Sequence, residues 1–181
     1  MKELNRRAFL TLSGAAVAMM ALAACGADDA PPAPAVPSTT DEAKVLTALN
    51  LYREKAGIST PLTLDSGLKP AAEIVAKMAT SDKPAEEQDM IAFAKAFEGY
   101  KDAESYQPIG VVVDMENGKF SPRYVCMDSA ELMVEHLSKQ TDDAALEQLK
   151  SPEFKLVNIQ TFKHGGVTYW IAVVAKSKVT T

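Results

Sequence analysis

The first residue with a chemistry of its own is Cys25, at the end of Leu22-Ala23-Ala24-Cys25 with Gly26 behind it. A thiol at that point, preceded by small residues that let the backbone enter a peptidase, suits cleavage before Cys25 and thioether linkage of its sulfur to diacylglycerol. What stands in front fits that reading. Lys2, Arg6 and Arg7 form a basic start, and Ala8 to Ala24 is a small and apolar run whose only polar members are Thr11 and Ser13. Such a run is too short and too weakly hydrophobic to stay in a bilayer as a helix, since a hydrocarbon layer of ~30 Å needs about 20 apolar residues. Basic start, apolar middle and small residues at the cut make a signal peptide over residues 1–24. Arg6-Arg7 within Asn5-Arg6-Arg7-Ala8-Phe9-Leu10 resembles the twin-arginine export signal, with Asn5 in place of the usual Ser or Thr.

The other groups able to do chemistry are few. Cys126 is the second of two cysteines, so lipidation of Cys25 leaves it without a partner and excludes an internal disulfide. Its neighbours Tyr124, Val125 and Met127 predict a buried, inert thiol. The two histidines, His136 beside Glu135 and His164 beside Gly165-Gly166, fall on an expected helix and an expected hairpin turn. A general acid or base would require them to converge with each other or with a carboxylate such as Glu135 or Glu104. The chain has no GxSxG elbow, no phosphate-binding glycine loop and no HExxH. Adjacent carboxylates at Glu86-Glu87 and Asp142-Asp143 point apart on a helix and suit N-terminal dipole contacts or a solvated face. No catalytic residue, metal ligand or cofactor site is assigned.

These groups must be positioned by the part of the chain that can fold. The segment 25–40, rich in proline and alanine with Val36 as its one large apolar side chain, cannot bury a core and is expected to be a tether. From residue 41 onward the pattern predicts a single domain over 41–181, long enough to bury a core without staples. Its first helix starts near Asp41, carries Val45, Leu49, Tyr52 and Ala56 inward and stops at Gly57. The second carries Leu68, Ala71, Ala72, Val75 and Ala79, with Pro70 in its first turn. The third starts at Pro84 and turns Met90, Phe93, Ala94 and Phe97 inward. Ile109 to Val113 and Phe120 to Cys126 read as strands around a turn at Glu116 to Lys119. A helix over Ser129 to Lys139 should bury Leu132, Met133, His136 and Leu137, and a short one follows over Asp142 to Lys150. Two closing strands, Lys155–Lys163 and Val167–Lys176, meet at His164-Gly165-Gly166. The sum is α+β, with helices flanking a small antiparallel sheet.

Charge narrows the partners. The leader holds three basic and one acidic of the chain's 19 and 24, leaving 16 against 23 and a net charge of −7. A body of that sign excludes nucleic acid as a partner and makes the acyl chains, rather than a basic patch, the route to the membrane.

Leu49-Asn50-Leu51-Tyr52-Arg53-Glu54-Lys55-Ala56-Gly57, then Pro61-Leu62 and Asp65, then Leu68, Ala71-Ala72, Ala76 and Met78-Ala79 resemble the start of bacterial CAP (SCP-like) domains. Ser151-Pro152-Glu153-Phe154 is similar to that family's Asn-Pro-Asp-Phe stretch, and Tyr169 to Val174 to its closing aromatic strand. The resemblance covers both ends of the domain, and 81–128 matches weakly. It implies a three-layer α-β-α sandwich. It also implies a degenerate site, because the family's histidine positions fall on Val75 and Ala145 and its glutamate on Gln107, a set that cannot hold a divalent metal. The expectation is therefore a lipid-anchored envelope protein whose CAP-like domain binds a partner: a small apolar or lipid ligand, by analogy with the family, or another envelope protein. Gly26-Ala27 lacks an acidic retention signal, which points to the outer membrane where the cell has one. The alternatives are an envelope hydrolase with a site rebuilt around His136 and His164, and a structural assembly protein.

Overall fold

A computed structural model describes residues 40–100 and 106–178. Helix α1 (Thr40–Lys55) opens with Asp41 and Glu42 in its first turn and closes with Arg53 and Lys55 in its last, charges that complement the helix dipole. Gly57, in the left-handed region, turns the chain out of it. The buried stripe is Val45, Ala48, Leu49, Tyr52 and Arg53. Ala56, expected inward, is exposed, because the stripe runs through Arg53, four residues after Leu49. A two-residue strand β1 (Thr63–Leu64) and a 3-10 turn capped by the Asp65 side chain lead into α2 (Lys69–Thr80). There Leu68, Ala71, Ala72, Val75 and Ala79 are all buried, as the spacing predicts. Helix α3 (Glu87–Lys95) begins three residues later than Pro84 and buries Phe93.

The centre of the molecule is a hairpin of two nine-residue strands, β6 (Leu156–His164) and β7 (Val167–Ala175). Gly165 and Gly166 both take positive φ, which matches a two-residue turn to the twist of the strands. β1 joins β6 in parallel and β2 (Tyr106–Ile109) joins β7 antiparallel, so the sheet is mixed, in the order β1-β6-β7-β2. The strand expected over Phe120 to Cys126 is instead interrupted. β2 pairs with β7 as far as Ile109↔Ala172, then the chain leaves as a separate hairpin, β3 (Val111–Val113) and β4 (Phe120–Pro122). It returns as β5 (Tyr124–Val125) to the same edge, at Tyr124↔Trp170. Two features close the base of this excursion. The Arg123 amide donates to the Gly110 carbonyl at 2.8 Å, and Gly110 has a positive φ at a point where a Cβ would lie 2.6 Å from the Trp170 carbonyl oxygen. Only glycine fits there.

Helix α4 (Ala130–Ser138) is capped by Ser129, whose hydroxyl accepts from the Leu132 amide, and α5 (Ala144–Gln148) by Asp143. On α4 the inward stripe is Ala130, Met133, Val134 and Leu137. Leu132 is 50% exposed, against expectation, because the cap at Ser129 sets the phase and places it on the opposite flank. Alternation along β7 divides the core in two. Trp170, Ala172 and Val174 face α1 and α4, while Ile171, Val173 and Ala175 face α2 and Phe97. The outcome is α+β, with helices against both faces of a mixed sheet. Among the described residues no helix is long and apolar enough to cross a membrane.

Candidate functional site

The residues singled out by sequence do not gather. Val75 is fully buried on α2, in the half of the core that contains Ile171 and Val173, and Ala145 packs against the other half with Leu146 and Trp170. The sheet lies between them, so they do not border one cleft. Gln107 is on β2, opposite Val174. His136 is half-buried on α4, its ring centre 6.0 Å from that of Tyr124, on the Trp170 side of the sheet. His164 ends β6 and lies exposed near Tyr169, on the opposite face. The two histidines therefore share no cavity. Glu135 is exposed and bound to Lys139 at 2.7 Å, which lowers its carboxyl pKa. Arg6, Arg7, Cys25 and Glu104 lie outside the described residues. Among those described, no three His, Cys, Asp or Glu side chains are grouped as metal ligands would be.

Three polar clusters take shape only in the folded chain. The first is Arg53, fully buried, whose guanidinium donates only to backbone carbonyls. Nη1 reaches Leu149 (2.7 Å) and Ser151 (3.0 Å), and Nη2 reaches Thr60 (2.9 Å) and Phe154 (2.9 Å), with Nε also directed to Thr60. Burial lowers its pKa to about 10, so it remains cationic at neutral pH. One turn earlier, Asn50 brackets Leu62, accepting from its amide at 2.7 Å and donating to its carbonyl at 3.3 Å. Together these two side chains fasten the end of α1 to the loops on either side. Their signal in sequence is the spacing of Arg53 from Leu49, which puts a cation on the apolar stripe.

The second cluster surrounds Tyr124. Its hydroxyl donates to Asp143 Oδ2 at 2.6 Å, while Asp143 Oδ1 accepts from the Ala145 and Leu146 amides. Arg123 places Nε 3.4 Å from Asp143 and Nη2 3.1 Å from Asp142. Burial first, then the Asp143 carboxylate, raises the Tyr124 pKa far above its ordinary value. The third cluster is Asp65, which accepts from Tyr100 Oη at 2.9 Å and the Gly67 amide at 2.7 Å and pairs with Lys178 at 2.9 Å. In each case the groups that could act on a substrate are already occupied by bonds within the fold. Cys126 is half-buried, and burial, then Asp41, raises its thiol pKa, which keeps it protonated.

One feature of the described residues that is open to a ligand is a groove of roughly 440 Å³ between the outer side of α1 and the segment after Gly57, lined by Thr47, Asn50, Leu51, Glu54, Ile58, Ser59 and Pro61. Leu51, Ile58 and Pro61 make its surface largely apolar. Asn50, pinned to Leu62, and the turn at Gly57 set the angle between its walls. No family model, curated protein or solved structure matches the chain.

Proposed function

We propose that the chain is an exported lipoprotein, cut before and acylated on Cys25, that displays a non-catalytic interaction module in the cell envelope. The observation that carries the binding reading is the disposition of polar chemistry. Arg53, Asp143 and Asp65 spend their donors and acceptors inside the fold, while the described surface carries a groove with apolar walls. Concave apolar surface with a few polar groups is the usual form of a binding site. Helices on both faces of the sheet, and Asn50 and Arg53 at the end of α1, support a degenerate CAP-like domain, the separation of Val75 from Ala145 by the sheet counts against a shared central cleft, and the anchor is read from Leu22 to Cys25. Membrane attachment runs through the acyl chains, and no cofactor is required.

The test is the intact mass of the protein extracted from membranes with detergent. A chain beginning at Cys25 and carrying a diacylglyceryl group is expected, with Cys25→Ser blocking both cleavage and acylation. Retention of residues 1–24 in the wild-type chain would overturn the reading. Native mass spectrometry of the same preparation should retain a bound apolar molecule or protein partner.

A further inference from the structure

We infer that the groove beside α1 takes an extended peptide segment of a basic partner, one that presents an apolar side chain and a Lys or Arg on the same side. The inference rests on the interaction reading above and names its site and the chemistry of its partner. The polar groups in the groove are unequal. Thr47 donates its hydroxyl to the Ala43 carbonyl at 2.9 Å, and both ends of the Asn50 amide are held by Leu62. That leaves the apolar surface of Leu51, Ile58 and Pro61, the exposed Ser59 hydroxyl, and the exposed carboxylate of Glu54, for which no described residue supplies a cation. Its neighbours in sequence do not neutralise it. Arg53 is turned into the fold toward carbonyls, and Lys55 projects about 100° further round the helix than Glu54, where it makes only a minor charge interaction with Glu135, which is itself bonded to Lys139.

Glu54 also lies in the last turn of α1, where the helix dipole adds negative potential. A carboxylate at that end is stabilised by a cation brought from outside, and a fatty acid or other anionic head group would meet repulsion. The groove is neither an enclosed cavity nor a flat surface, and a half-open trough suits a chain lying across it better than an enclosed small molecule. In an extended peptide, residues two apart face the same way, so Leu-x-Lys can place one side chain on Leu51 and Ile58 and the other at Glu54. The net charge of −7 after residue 24 favours encounter with a basic partner over long range.

The experiment is an NMR titration of the full chain in detergent with two probes, acetyl-Ala-Leu-Ala-Lys-Ala-amide and its counterpart with Glu in place of Lys. The Lys probe should shift the amides of Leu51 and Ile58 and bind about tenfold more tightly than the Glu probe, a preference that weakens with salt. Glu54→Lys, at an exposed position, should invert the preference and leave the remaining amide positions unmoved. Equal binding of the two probes, shifts elsewhere on the surface, or a preference unchanged in Glu54→Lys would each overturn the inference. If neither probe binds while native mass spectrometry still retains a ligand, the site assignment fails and the interaction reading stands. If nothing is retained either, both fall.

Discussion

Tyr124 and Asp143 are joined by a 2.6 Å hydrogen bond between the returning strand β5 and the N-cap of α5, so one carboxylate holds a strand with one oxygen and starts a helix with the other. Removing the hydroxyl in Tyr124→Phe keeps the ring stacked on Trp170 but leaves a buried Asp143 oxygen with only Arg123 at 3.4 Å. The expected loss of stability is about 1–3 kcal/mol. Urea denaturation reads it, and an unchanged midpoint would show that the bond contributes nothing net.

The same pair has a pH signature. The folded-state pKa of Tyr124 is raised, so the hydroxyl is protonated in both states below the unfolded value near 10. Its contribution is fully present there. As pH rises past about 10 the unfolded chain ionises first, and the contribution is lost on the way to the folded pKa. The stability difference between wild type and Tyr124→Phe should therefore be constant from neutral pH to about 9 and shrink above 10. A comparison of the two chains in urea at several pH values isolates this residue from Tyr52, Tyr100 and Arg53, which also titrate there. A difference that grows with pH would contradict it.

Arg53→Met is expected to be the most damaging single change in α1. It keeps an unbranched side chain but withdraws the donors on Thr60, Leu149, Ser151 and Phe154, three of which lie about a hundred residues away in sequence. Buried carbonyls left without donors cost on the order of 1–3 kcal/mol each, softened by water entry, so a total of about 3–5 kcal/mol is expected. Arg53→Lys should recover only part of it, because an ammonium cannot span a fork of four carbonyls. Equal stability of Arg53→Lys and wild type would refute the clamp.

The contrast between Arg53 and Leu132 shows what the sequence can carry. Helix stripes, the Gly165-Gly166 hairpin and the small-residue face of α2 depend on neighbours within a few positions, and they are legible in the one-dimensional pattern. Arg53 depends on carbonyls presented by residues 60 and 149 to 154, and the separation of Val75 from Ala145 depends on which sheet face each helix covers. Neither is a local quantity. The phase of α4 departs from the pattern for a smaller reason. Ser129 as cap fixes the stripe at Ala130, Met133, Val134 and Leu137, whereas hydrophobicity alone favours Leu132. The break in the long strand at Arg123 is marked in sequence by Gly110, which interrupts a β-branched run without revealing that a hairpin leaves the sheet there.

That interruption makes the last prediction. Gly57 and Gly110 both have positive φ, yet a Cβ on Gly57 would meet nothing within 4 Å and one on Gly110 would meet the Trp170 carbonyl at 2.6 Å. Gly57→Ala therefore isolates the backbone term, of about 1 kcal/mol. Gly110→Ala adds a collision with a strand backbone that cannot move without breaking its pairing to β6, so its cost should exceed that of Gly57→Ala by at least about 1–2 kcal/mol. Thermal and urea unfolding of the two variants side by side measure the difference. Equal losses would mean that β2 and β5 do not need to approach β7 as closely as the geometry at Gly110 requires, and that the hairpin of β3 and β4 could leave the sheet from any residue with the right dihedral angle.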